Sequence, residues 1–146
     1  AAETARDANL KANKAISEAF TTGDTSQVDA YVAADFVDHT ESGDKNRDSL
    51  KAMIIGMHRA SPDMKSMVMR EMADSNYVIS LMHWTGTSDG TMGMPKGPYD
   101  MKAMEVVRFQ NGKAVEHWTY MEPSEMMKMM GPGAMKMMEP SSGSKK

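Results

Sequence analysis

The stretch NGKAVEHWTY, residues 111–120, packs an acid, an imidazole and two aromatic rings into one short strand pattern, and Glu122 follows two residues later. A lone acid among aromatic rings in a concave site would have its charged form disfavoured, which raises its pKa towards values useful to a general base or general acid. Strand alternation puts Glu116, Trp118, Tyr120 and Glu122 on one face and Val115, His117, Thr119 and Met121 on the other. The plainer alternative is a half-buried sheet with Glu122 in water at the strand end before Pro123.

The other imidazoles are His39, His58 and His83. His39 follows the apolar pair Phe36-Val37. It is either a proton-transfer or carbonyl-binding group or a loop histidine bonded to backbone. His58 stands beside Arg59 at a predicted helix end, where a cation is favourable without any function. His83 and Trp84 are adjacent on one predicted strand, so only one of them faces inward. His39, His83 and His117 match no compact zinc spacing and no cysteine assists them, so no metal site is expected of them and no cofactor is required.

These residues need elements to hold them. Ala5, Ala8, Ala12, Ala15, Ile16, Ala19 and Phe20 recur at helical spacing over residues 4–21, and Gly23 suits a C-cap. Thr25 or Ser26 caps a short second helix through Ala33. DFVDHTESGDKN then reads as a polar loop. Asn46 or Asp48 starts a third helix with Leu50, Met53, Ile54 and Met57 as its apolar stripe. Residues 64–73, 77–88, 99–109 and 113–122 read as strands, and Asn111-Gly112 is a two-residue hairpin signal. Three helices before a four-stranded antiparallel meander predict an α+β domain, with one face of a bent sheet buried under the helices. The domain spans residues 1–130. Residues 131–146 have no sustained period and read as a mobile, Met-rich tail.

At 146 residues the chain is long enough for one sizeable core. A net charge of −3 without a basic stripe argues against a nucleic-acid partner. No apolar run approaches the roughly 20 residues of a membrane span. The opening AAETARDANL has the small residues that signal-peptide cleavage leaves behind, which points towards an exported, periplasmic or secreted protein rather than a cytoplasmic one.

There are 19 methionines and only three leucines. Those between Met53 and Met104 stand where leucine would serve as core filler, giving an apolar, deformable interior. Met126, Met127, Met129 and Met130 have two readings. They are soft ligands of the type that favours Cu(I), or they are the apolar side of a short helix after Pro123.

EAFTTGD with YVAADFVDHT, then SPDMK, HWTGTSDG and VVRFQNGKAVEHW, in this order over roughly residues 10–130, resemble the SnoaL-like polyketide cyclases. These are also called ester cyclases, within the nuclear transport factor 2-like superfamily. The resemblance implies a cone, a strongly bent sheet closed by helices with a pocket at its open end, and pairing of two copies through the sheet. It implies that Trp118 and Glu122 face the pocket, with Glu122 where the cyclases have a general-base Asp and His39 at the pocket mouth as polar helper. Tyr120, Trp84, His83 and Tyr31 complete the implied ligand-binding set, and His117 falls on the outer face. The implied reaction is proton abstraction beside a carbonyl, in cyclisation or isomerisation of a small apolar substrate. The same pocket without turnover would make a ligand-binding domain.

Overall fold

The computed structural model describes residues 2–131, so the expected tail lies outside the described residues apart from Gly131. Helix α1 spans Ala5–Thr22. The Thr4 side chain accepts from the Asp7 backbone N–H at its start, and Gly23 closes it in the left-handed conformation. A short α2, Val28–Tyr31, leads into β1, Val32–Thr40, and β2, Gly43–Lys45. Helix α3, Arg47–Ala60, is capped by Asn46, whose side chain accepts from the Ser49 backbone N–H. Strands β3 (Lys65–Ala73), β4 (Tyr77–Ser88), β5 (Gly97–Gln110) and β6 (Lys113–Tyr120) follow, then α4, Pro123–Met130.

The expected antiparallel meander is present as β3-β4-β5-β6, joined at its last turn by Asn111 and Gly112, both at positive φ. The sheet is larger than expected. Its order is β2-β1-β6-β5-β4-β3, and β1 runs parallel to β6. DFVDHTESGDKN is therefore not a polar loop: it forms most of β1, the turn, and β2. Its alternation is masked by an irregularity between Val32 and Val37, where the register against β6 shifts. The apolar anchors survive, with Val32 and Phe36 both buried. The second helix is correspondingly shorter, ending at Tyr31 rather than Ala33.

The core lies between the helices and one face of the sheet. Ala12 and Ala19 of α1, with Leu50 and Ile54 of α3, meet Val78, Val107, Phe109 and Ala114. Ile54 is fully buried, so Ile54→Ala is expected to cost roughly 2 to 5 kcal/mol. Strand β6 ends opposite Met104, which leaves the start of β5 with a bare edge. Helix α4 covers it: the Lys102 backbone N–H donates to the Glu125 carboxylate and the Lys128 ammonium to the Asp100 carbonyl. The helix expected after Pro123 thus forms and protects a strand edge. Met126, Met127 and Met129 are half-buried on it, and Met130 is exposed.

Candidate functional site

Register and burial decide which side chains lie under the helices. Val107 of β5 is core and stands opposite His117 of β6. Residues directly opposite in a ladder share a face, so His117 lies on the helix-covered face. Asp38 pairs with His117, Glu105 with Thr119 and Ser80, and Ser80 with Glu71. The Ser80 hydroxyl also accepts from Asn13 of α1, 3.4 Å away, which places this row beneath α1. Glu116, Trp118 and Tyr120 take the outer face. The direction expected for this strand is thus reversed.

A bulge reverses it. Phe109 stands opposite Ala114, but Arg108 stands opposite Glu116, so Val115 is extra on β6. Ala114 and Val115 are both buried as a result. A one-residue slip sends every later side chain to the opposite face.

On the helix-covered face His117 is held between two acids. Its Nδ1 lies 2.7 Å from Asp38 Oδ1, and its Nε2 bonds Glu105 Oε2. The Thr119 hydroxyl donates to the same Glu105 oxygen at 2.8 Å. Burial opposes the charged ring, but the hydrogen bonds and charges of Asp38 and Glu105 outweigh it and raise the His117 pKa from 6.5 to about 10. The ring is therefore an imidazolium near neutral pH. The His117 and Glu105 side chains keep 22% and 19% of their surface exposed, against 6% for Asp38, so the first two remain reachable. The two ring nitrogens point to different carboxylates, and the three groups do not converge on one point. Among the described residues no group of three His, Cys, Asp or Glu side chains is arranged to hold a metal ion.

The expected site residues are dispersed. His39 is on the outer face, its ring stacked on Trp118 with centroids 5.0 Å apart. Its nitrogens lie 2.7 Å from Glu116 Oε2 and 2.9 Å from Asp44 Oδ1, contacts that raise its pKa. Glu116 also accepts from Arg108 at 2.7 Å, and His39 and Arg108 lower its pKa. His83 is likewise outside, 2.8 Å from Asp100 Oδ1, so Trp84 is the member of that pair on the helix-covered face, opposite Met101. Glu122 is exposed at the start of α4 and borders an outer recess of about 550 Å³ with Leu81, Met104, Tyr120 and Glu125. Neither His39 nor Trp118 lines that recess. Tyr31 borders a different recess of about 610 Å³, beside the start of α1 and the Asn111-Gly112 turn. Glu122 and His39 therefore do not face each other across one cavity.

Asp38 and Glu105 were not singled out by sequence, and His117 was placed outside. One signal was present. In MKAMEVVRF, residues 101–109, Lys102 and Arg108 share one strand parity while Met101, Ala103, Val107 and Phe109 share the other with Glu105. A lone acid on an apolar face marks a group that the fold must neutralise.

A bent mixed sheet with helices on one face and a partly exposed polar cluster between them defines the class. The SnoaL-like polyketide cyclase model matches residues 10–129, and the chain belongs to that family. Three solved structures of similar fold illustrate it. IdmH from Streptomyces antibioticus is 24% identical, with 84% of this chain and 98% of that chain covered at a TM-score of 0.68. A SnoaL-like polyketide cyclase from Agrobacterium tumefaciens is 13% identical, covering 89% and 100% at 0.68. An NTF2-like protein of unknown function from Burkholderia pseudomallei is 21% identical, covering 84% and 97% at 0.67. No curated protein matches the chain. Among the described residues no helix is long and apolar enough to cross a membrane.

Proposed function

We propose that the chain is a cyclase- or isomerase-type enzyme that takes a proton from the carbon beside a carbonyl of a small apolar substrate. Glu105 is the base and His117 the donor to the oxygen. The observation that carries this is His117, held charged between Asp38 and Glu105 on the helix-covered face yet still partly exposed. Among the described residues no hydrogen bond occupies Glu105 Oε1, while Oε2 already accepts from His117 and Thr119. The C–H bond breaks, its proton goes to Glu105, and its electron pair moves to the carbonyl oxygen as an enolate. Gaining that proton neutralises Glu105 and weakens its hold on the single Nε2–H of His117, which turns to donate to the enolate oxygen. In a cyclisation the enolate carbon then bonds to a second carbonyl carbon of the same substrate, whose C=O π bond opens to an alkoxide that takes the proton back from Glu105. In an isomerisation the proton returns to a different carbon. Glu105→Gln keeps the shape and removes the base. With a β-keto ester or ketone that the wild type turns over, it is expected to lose about 100- to 10,000-fold in rate while still binding. Full turnover by Glu105→Gln would overturn the assignment.

A second reading has its own support: both ring nitrogens of His117 are already engaged, as in a fixed ion cluster. On that reading the domain binds the same guests without turnover. Binding of such a ligand by a wild type that never converts it would favour this. The exposed Met67, Met72, Met104 and Tyr120 of the outer sheet face support association of two copies there, which neither reading requires.

A further inference from the structure

Asp38 is the only buried acid among the described residues, at 4% exposure. A buried carboxylate is costly unless paired. On the same strand Val32 and Phe36 are both in the apolar core. An apolar residue would therefore suit position 38 as packing. What Asp38 has instead is one charged partner, His117, whose Nδ1 lies 2.7 Å from Oδ1. The register of the parallel β1-β6 pair, with Asp38 directly beside His117, builds that contact into the backbone. The next residue, His39, points to the opposite face and cannot share it. Glu105 and Thr119 approach His117 from the Nε2 side, where the cluster is exposed. Asp38 is thus too buried to meet a substrate, and it grips the ring nitrogen that faces away from one.

We propose that Asp38 is a positioning residue that acts only through His117: it holds the ring at Nδ1, so that Nε2 is the nitrogen offered to Glu105 and to a substrate oxygen. This rests on the reading of His117 as the oxygen donor. A carboxylate at Nδ1 fixes ring orientation, keeps the Nδ1 proton in place and favours the charged ring. Asp38 and Glu105 are the titratable groups that face the ring, from β1 and β5.

The test is long-range ¹H–¹⁵N NMR of the histidine rings in the full chain, with His117 assigned by loss of its signals in His117→Gln. In the wild type Nδ1 is expected to stay protonated while Nε2 loses its proton at high pH. Asp38→Asn is expected to lower the His117 titration midpoint by about one unit or more and to release the fixed tautomer. With a turned-over substrate, kcat falls and KM changes little. A His117 midpoint and tautomer unchanged in Asp38→Asn, with only thermal stability reduced, would make Asp38 merely structural and overturn the proposal. Should Asp38→Asn fail to fold, the wild-type spectrum still decides, because a bare Nδ1 contradicts the proposal. Failure of the enzyme reading looks different: no turnover by a wild type whose Nδ1 is held as expected.

Discussion

His117 couples the site to stability. Its folded-state pKa is about 10 against an ordinary value of 6.5, so the folded state binds the proton more tightly. The stability this supplies is fully present below pH 6.5 and is lost as pH rises towards 10. His117→Gln cannot titrate. The difference in urea midpoint between wild type and His117→Gln is therefore expected to shrink steadily across that window. A difference that is constant from neutral to alkaline pH would show that the ring is not tied to Asp38 and Glu105 as described.

At the scale of elements, the parallel β1-β6 pair is pinned on both faces by pairs of opposite sense. Inside, Asp38 of β1 holds His117 of β6, and outside, His39 of β1 holds Glu116 of β6. The helices, the meander and the Asn111-Gly112 hairpin were legible, because each rests on a local signal: a 3.6-residue period, a two-residue alternation, or a turn that needs positive φ. Strand β1 was not, since its irregularity between Val32 and Val37 breaks the alternation and its ladder comes from β6, far away in sequence. The direction of β6 was not either, because nothing in AVEHW announces that Val115 is extra. The hairpin itself carries a prediction. Gly112 sits at φ 74, so Gly112→Ala is expected to cost roughly 1 to 2 kcal/mol in chemical denaturation, by forcing a side chain into the left-handed region. A variant as stable as wild type would contradict the turn geometry.

The whole molecule divides its chemistry between two sheet faces. Under the helices lies the row Asp38, His117, Glu105, Ser80 and Glu71, crossing five strands. On the outer face lie Trp118, Tyr120, Met104 and Met72, part of them well exposed. If two copies pair through that face, Met104→Lys with Tyr120→Lys is expected to give a monomer by light scattering while leaving the interior cluster intact. A wild type that is monomeric at high concentration would remove the pairing. The proposed site lies under the helices and not on the face bearing Trp118 and Glu122. Titrating a small β-keto ester into ¹⁵N-labelled protein and mapping the amide shifts tests it most directly. The largest shifts are expected at Ser80, Glu105, His117 and Thr119. Shifts centred on His39, Trp118, Tyr120 and Glu122, with the interior row unmoved, would contradict it.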